Sequence, residues 1–312
     1  MQFRSINSMK YDSILKQYIF KRSQLLPCFE YIRSHVTWRS WPISLFMNER
    51  SPTSLTEAKS VWTGATRPTP AEMREFPYDT TSPAFPDKKL LVCAAPRASS
   101  KRLARLLLGA GIGVPLEYFN DNSVQALTER WQINKQDYLA HIFARRSANG
   151  LFASNIQFPQ MQKWPYPHDF TALFEGATVV HLIRDNKLAQ AASLATCMIT
   201  GRWGFEVAPV TKNYSTWRLK LAARKAMQLI AVDEQLWQDW FRQRGIEPLV
   251  ISTERVNRHD MTLIDDIAAL LGVNADAASA QRMLDVDRGA YPGDLELKSR
   301  MRTLVEELAA RG

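Results

Sequence analysis

The sequence predicts an α/β protein in which a parallel β-sheet is flanked by helices. Three short apolar runs, at residues 90–95, 178–183 and 248–252, have the length and hydrophobicity of buried strands. Each run is followed by a break and then by apolar residues at helical spacing. This alternation favours a parallel sheet, because a crossover helix is the usual way to return the chain for a second strand in the same direction.

Each predicted strand is placed by its neighbours along the chain. The first, Leu90–Ala95, precedes apolar residues at helical spacing that stop at Gly111. The second, Thr178–Ile183, is followed by a polar break and a helix from about Lys187. The third, Pro248–Ser252, lies between two predicted helices. The longer of these carries aromatic residues at helical spacing, which we expect to be core: Trp237, Trp240 and Phe241.

The first 88 residues differ from the rest and are predicted to be a separate extension. Residues 1–50 hold eight Lys and Arg against three Asp and Glu, a net charge of +5 out of +9 for the whole chain. They are consistent with an arm that contacts a membrane surface or a partner. They are equally consistent with a packed helix or an irregular extension. Residues 51–88 contain six prolines and are predicted to be a linker, which leaves 89–312 as the α/β domain.

Composition excludes several classes of protein and argues against others. Three widely spaced cysteines form neither a disulfide framework nor a CxxC site, so we expect a reducing compartment. The five histidines show no HxxH or HExxH spacing, so no metal site is predicted. No apolar run is long enough to span a membrane. A sequence pI near 9.5 favours anionic partners, but no nucleic-acid-binding signature is present.

A candidate anion site follows the first predicted strand, at Pro96-Arg97-Ala98-Ser99-Ser100-Lys101. A loop that leads from a strand into a helix presents free N–H groups and the positive end of the helix dipole. Two cations and two hydroxyl groups stand at the same turn, so the loop suits a phosphate or sulfate. The Walker A glycines are missing. A serine that caps the helix and two solvated basic side chains are the alternative interpretation.

Three motifs in order resemble the sulfotransferase family typified by bacterial trehalose 2-sulfotransferase. They are APRASSKRLARLLLGAGIGVPLEYF, then HLIRDNKLAQAASLATCMITGRW, then a Trp-rich helix followed by PLVISTE. The resemblance covers roughly residues 89–300. It implies a P-loop-kinase-like fold and a cytoplasmic bacterial enzyme. Members transfer a sulfuryl group from 3′-phosphoadenosine 5′-phosphosulfate (PAPS) to a sugar hydroxyl, without a metal.

The resemblance also implies roles for particular residues. Pro96 to Lys101 would hold the 5′-phosphosulfate, while Arg184 and Ser193 would hold the 3′-phosphate. The chain departs from the family pattern at four positions: Ser99 replaces Gly, Lys101 replaces Thr, Asn155 replaces Lys and Asp185 replaces Arg. A side chain at Ser99 would crowd a close backbone approach, whereas Lys101 could supply charge.

The resemblance places the catalytic base at Glu117, since the acceptor hydroxyl must lose a proton as it attacks sulfur. Arg97 and Lys101 would neutralise charge on the transferring group. The alternatives are a solvated carboxylate at Glu117 and, for Arg184, an ion pair with Asp185 or Glu175. The expected substrate-binding residues are aromatic: Tyr118, Trp164 and Trp203.

The leading hypothesis is therefore a PAPS-dependent sulfotransferase with a carbohydrate or glycolipid acceptor. The alternative is a catalytically diverged member of the same fold that binds the nucleotide or a partner without turnover. A P-loop phosphotransferase is disfavoured by the missing glycines and the lack of a clear Mg²⁺ carboxylate. The sequence leaves the acceptor, the oligomeric state (including a homo-oligomer) and a peripheral position at the inner membrane face open.

Overall fold

The structure, a computed structural model, describes residues 79, 85–148, 150–201, 203, 214–284 and 292–310. Most of the predicted N-terminal extension, including the basic residues 1–50, lies outside the described residues. The first strand begins at Lys88.

Five strands and eleven α-helices are described, and we number each kind in chain order. The strands are β1 Lys88–Ala94, β2 Ser147–Ala148, β3 Leu151–Ile156, β4 Thr178–Ile183 and β5 Leu249–Ser252. The helices before β4 are α1 Ser100–Ala110, α2 Asp121–Trp131, α3 Tyr138–Arg146, α4 Phe158–Lys163 and α5 Pro167–Phe174. The later helices are α6 Lys187–Thr200, α7 Thr216–Arg244, α8 Thr253–Asn257, α9 Thr262–Leu271, α10 Ala277–Leu284 and α11 Pro292–Ala309.

The strands form one sheet in the order β2-β3-β1-β4-β5. β3, β1, β4 and β5 run parallel, and only the two-residue β2 pairs antiparallel, at the edge beside β3. β1 occupies the centre, with Val92 opposite Asn155 of β3 on one side and Val180 of β4 on the other. The predicted α/β class with a mostly parallel sheet is therefore confirmed. All three predicted strands are present, but β2 and β3 were not predicted.

Helices cover both faces of the sheet. Alternate residues of β1 point to opposite faces, so the side chains on each face are buried against helices. Leu91 and Cys93 join a large aromatic cluster that includes Trp237 and Phe241. Leu90 and Val92 join an aliphatic cluster with α1 and α9 on the other face. Burial of Trp237 and Phe241 confirms the prediction that they are core residues. A third cluster joins α6, α7 and α11.

Among the described helices, none combines the length and the apolar character that a membrane crossing would require.

Candidate functional site

The candidate site lies at the carboxyl end of β1. β3 and β4 flank β1 on opposite sides, so the order of the strands reverses direction at this point. In open α/β sheets, ligands bind in the crevice that such a reversal opens beside the carboxyl ends of the strands. The segment that leaves β1 here is Ala95–Ser99, which we call the β1–α1 loop.

The backbone of the β1–α1 loop is unusual because two side-chain-bearing residues adopt positive φ. Arg97 has φ 68° and Ser99 has φ 60°. Left-handed residues that alternate with right-handed or extended ones curl successive N–H groups toward one point, which is the geometry of anion-binding nests. The positive φ also explains why glycine suits position 99, since a non-glycine residue pays about 1–2 kcal/mol there.

The N–H groups of this turn have no acceptor among the described residues. Ser99 occupies the N-cap position of α1, but its side chain makes no capping hydrogen bond. Arg102 and Leu103 donate to the Ser99 carbonyl, so the helical hydrogen bonds begin there. In the described part of the chain, no acceptor bonds the amides of residues 97–101. These amides and the positive end of the α1 dipole therefore remain available to an anion.

Cationic and hydroxyl side chains gather around the β1–α1 loop. Arg97 Nε donates to Ser193 Oγ of α6 at 3.0 Å. Arg184, which follows β4, donates from Nη1 to the Arg97 carbonyl at 3.3 Å. Arg97, Arg184 and Ser193 thus converge from three different parts of the chain, and their role in binding a sulfuryl donor stays a prediction.

The positive charge at this point is only partly balanced. Burial lowers the pKa of Arg184; Glu254 opposes this shift, while the nearby Arg97 adds to it. Arg184 Nε is buried and has no hydrogen-bond partner. Neither Asp185 nor Glu175, the alternatives considered from sequence, forms an ion pair with Arg184 within the described residues. An anion at this position would supply the missing acceptor and offset two adjacent cations.

Glu254 fixes the loop that carries Arg184. Its two carboxylate oxygens accept the backbone N–H groups of Asp185 at 3.0 Å and Asn186 at 3.2 Å. Desolvation alone would raise the pKa of Glu254, but these two backbone donors bring it below its ordinary value. The carboxylate is therefore held charged, and it positions the start of α6.

Glu117 is connected to the same end of the sheet through β3. The preceding residue, Leu116, bridges to Ser154, and its carbonyl accepts the Asn155 amide at 2.8 Å. Asn155 also donates from Nδ2 to the carbonyl of Ser100 at 3.4 Å. The half-buried Glu117 carboxylate accepts one hydrogen bond, from Gln160 Nε2 to Oε2 at 3.3 Å. Glu117 thus belongs to a chain of contacts that reaches the first turn of α1.

The remaining predicted residues have different surroundings. Lys101 is exposed on the first turn of α1. Trp203 has 42% of its surface exposed, and its carbonyl accepts a hydrogen bond from Arg97 Nη1 at 3.3 Å. The backbone of Trp203 therefore lies beside Arg97, and the residue is partly exposed.

Tyr118 and Trp164 are packed in the aromatic cluster. Tyr118 is fully buried and donates its hydroxyl to the Val114 carbonyl at 2.8 Å. Trp164 is also buried, and its indole N–H donates to Asp169 at 2.7 Å. Both polar groups have partners inside the protein, so the structure gives these side chains a packing position.

Three residues around the β1–α1 loop were not predicted to hold it. Gln190 Nε2 donates to the Pro96 carbonyl at 2.8 Å, and Thr253 Oγ1 donates to the Ala98 carbonyl at 2.8 Å. Asn155, considered only as a replacement for a lysine, donates to Ser100. These contacts span from 55 to 155 residues along the chain, so no local pattern reveals them.

No set of three or more His, Cys, Asp or Glu side chains suited to a metal ion occurs in the described ranges.

Comparison with known proteins gives one match to a family. Residues 160–302, less than half of the chain, match the Stf0 sulphotransferase family. No curated protein matches the chain.

Two solved sulfotransferase domains show distant likeness. One, from the olefin synthase of Synechococcus PCC 7002, is 16% identical and has a TM-score of 0.38, covering 72% of this chain and 95% of that domain. The other, from the curacin biosynthetic pathway, is 13% identical with a TM-score of 0.40, covering 72% of this chain and 99% of that domain. These scores are too low to establish a common fold.

Proposed function

We propose that this protein is a sulfotransferase that moves a sulfuryl group from PAPS to a hydroxyl of a carbohydrate or glycolipid. The observation that carries the proposal is the convergence of free amides, Arg97, Arg184 and Ser193 at the carboxyl end of β1. The match of residues 160–302 to the Stf0 sulphotransferase family supports the same chemistry.

The residues present fit a donor with two separated anionic groups. The amides of residues 97–101 suit the 5′-phosphosulfate, with the Ser100 hydroxyl and Lys101 at the same turn. Arg184 and Ser193 suit the 3′-phosphate, because the unpartnered Arg184 Nε needs an acceptor. Pro96 and Ala98 shape the turn, while Arg97 connects the two anion positions through its contact with Ser193.

Glu117 is the proposed general base. One of its oxygens accepts the hydrogen bond from Gln160, which leaves the other oxygen to take a proton from the acceptor hydroxyl. When bound, PAPS supplies a sulfur atom that bonds to the acceptor oxygen while its bond to the 5′-phosphate oxygen breaks. Arg97, Lys101 and the loop amides stabilise the negative charge left on that phosphate.

Trp203 is the proposed contact for the planar parts of the ligands. The residue is partly exposed, its backbone carbonyl bonds Arg97, and aromatic faces stack on adenine or on the apolar face of a sugar ring. Tyr118 and Trp164 receive no part in substrate binding, since both are buried among other aromatic residues.

Binding without turnover is the second candidate function, and Asn155 favours it. This residue is buried, cannot neutralise charge, and occupies the position where the related family has a lysine. A protein of this kind would retain the nucleotide site through Arg97 and Arg184 while transferring the sulfuryl group slowly or not at all.

Three further expectations remain proposals. Residues 89–312 would form the catalytic domain of a bacterial cytoplasmic enzyme. Residues 1–88 would be an extension, of which residues 1–50 would contact the inner membrane on its cytoplasmic face. Homo-oligomer formation is compatible with the proposed chemistry.

The test follows transfer of ³⁵S from labelled PAPS to a broad panel of glycans and glycolipids, with the Glu117→Gln and Glu129→Gln variants in parallel. Loss of the base should lower kcat by about 10²–10⁴ while the affinity for the product 3′-phosphoadenosine 5′-phosphate (PAP) stays near the parental value. Glu129 is exposed on α2, so its variant should behave like the parent.

Equal activity of Glu117→Gln and the parent would place the base elsewhere. PAP binding by the parent without transfer to any acceptor would favour the second candidate function.

A further inference from the structure

The carbonyl groups of residues 96–100, in the β1–α1 loop and at the start of α1, each accept a hydrogen bond from the protein. Four side chains donate to them: Gln190 to Pro96, Arg184 to Arg97, Thr253 to Ala98 and Asn155 to Ser100. The remaining carbonyl, of Ser99, accepts from the helix amides of Arg102 and Leu103. Every carbonyl from Pro96 to Ser100 therefore has a donor.

This arrangement controls where the loop amides point. In a trans peptide the carbonyl of one residue and the N–H of the next lie in one plane and point in opposite directions. A donor that holds the carbonyl of residue 96, 97, 98 or 100 thus turns the following N–H away from that donor. The amides of residues 97, 98, 99 and 101 belong to peptide planes fixed in this way, and the helix amides that bond the Ser99 carbonyl fix the plane of the residue 100 amide.

Thr253 fixes the peptide plane between Ala98 and Ser99, where Ser99 has a left-handed backbone. The Ala98 carbonyl that it holds belongs to the same peptide as the N–H of Ser99, the residue at φ 60°. A non-glycine residue persists in this conformation only when its surroundings fix it. Thr253 is fully buried at the start of α8, so its hydroxyl acts on the loop and not on a ligand.

Gln190 supports the first peptide of the loop in the same manner. It is fully buried in α6, and its amide donates to the Pro96 carbonyl at 2.8 Å. The peptide that it fixes carries the N–H of Arg97, the other residue with positive φ.

We propose that Thr253 and Gln190 are positioning residues that hold the β1–α1 loop in its anion-binding conformation and offset the left-handed backbone of Arg97 and Ser99. The identity of the anion as a PAPS group rests on the proposed function. The positioning role itself rests on the carbonyl contacts.

The experiment is a double-mutant cycle that combines Thr253→Val with Ser99→Gly in the full chain. Valine matches threonine in shape but removes the donor, so the ligand-free loop should leave its anion-binding conformation more often. The Kd for PAP should then rise up to about tenfold, the change expected when the energy of one buried hydrogen bond no longer holds that conformation. Thr253→Ser keeps the hydroxyl and should bind PAP like the parent. Glycine at 99 removes the cost of positive φ and should recover part of the affinity lost in Thr253→Val.

Hydrogen exchange of the ligand-free protein gives a second readout that does not depend on PAP. The amides of Arg102 and Leu103 are bonded to the Ser99 carbonyl, so they should exchange several-fold faster in Thr253→Val than in the parent or in Thr253→Ser. Thr128→Val is the matched control, because the Thr128 hydroxyl donates to a carbonyl of its own helix α2. This variant should alter neither the exchange of these two amides nor PAP binding.

The outcomes separate the two proposals. If the parent fails to bind PAP, the proposed function falls, and exchange of the Arg102 and Leu103 amides still decides the positioning role. Unchanged exchange in Thr253→Val, or a Thr253→Ser variant as impaired as Thr253→Val, would overturn that role. If thermal melting shows that Thr253→Val is unfolded, Gln190→Met removes the donor to Pro96 and is measured by the same two readouts with the same expectations.

Discussion

Arg184 has surroundings that point strongly to an anionic ligand. It lies at the end of a central strand, donates to the loop at Arg97, and keeps a buried Nε without an acceptor. Burial and a neighbouring cation both act against its charge, while Glu254 supplies the balancing attraction. A cation held in this way gains more from a bound phosphate than an exposed one would, because little water competes for it.

Arg184→Ala should weaken PAP binding at least tenfold and reduce the preference for PAP over adenosine 5′-phosphate, since the lost guanidinium would contact the 3′-phosphate. Calorimetry with both nucleotides measures the two effects. Arg302→Ala, which removes an exposed i,i+4 ion pair on α11, serves as the control and should leave both affinities unchanged. An unaltered preference in Arg184→Ala would assign the 3′-phosphate to other residues.

At this scale the motifs predict which charged side chains lie near one another better than they predict which aromatic side chains are buried. Arg97, Arg184 and Ser193 were predicted from motifs, and the structure brings them together. Tyr118 and Trp164 were expected to bind substrate, but both are buried with satisfied polar groups. An aromatic residue in a motif fits a core or a binding site equally well, and only its neighbours in space decide between them.

Among the strands, β3 connects Glu117, the proposed general base, to the β1–α1 loop, the proposed binding site for PAPS. Its register beside β1 places Asn155 opposite Val92, near the carboxyl end of both strands. Leu116 then attaches to β3 through Ser154 and Asn155, which fixes the residue that follows it, Glu117. The turn at Gly113 leads the chain toward Leu116 and its contact with β3.

Gly113→Ala should destabilise the protein by about 2–4 kcal/mol in urea denaturation, because two costs combine. Gly113 has φ +65°, and an added Cβ would lie 2.6 Å from the Ala153 Cβ. Gly176 has φ +62° with nothing within 4 Å of an added Cβ, so Gly176→Ala should lose only about 1–2 kcal/mol. Equal losses in the two variants would mean that close packing against β3 contributes nothing.

β3 was missed because its sequence, LFASNI, mixes polar and apolar residues without a period. All six residues are nevertheless buried, since β3 lies between β1 and β2 and both of its faces are covered. The polar residues of β3 have roles in the site, with Ser154 and Asn155 joining Leu116 and Ser100. A strand that carries functional polar groups departs from the hydrophobic pattern by which strands are recognised.

For the whole molecule, the central sheet and the order of its helices bring distant residues to one edge. The donor to Ala98 comes from Thr253, 155 residues later in the sequence, and the donor to Pro96 comes from Gln190, 94 residues later. Composition and periodicity predicted the α/β class, because β1, β4 and β5 and the helices that follow them each carry their own pattern. They could not predict contacts that depend on which strand lies beside which.

The net charge of +9 gives the whole chain a favourable field for a multiply charged nucleotide. Charge alone attracts many anions, so the affinity for PAP must come from the amides of the β1–α1 loop together with Arg97 and Arg184. The most direct test of this account is a calorimetric titration of PAP into the full chain at low salt, repeated at higher ionic strength. Saturable one-to-one binding in the micromolar range that weakens as salt is added is the predicted result, and no saturable binding at low salt would contradict it.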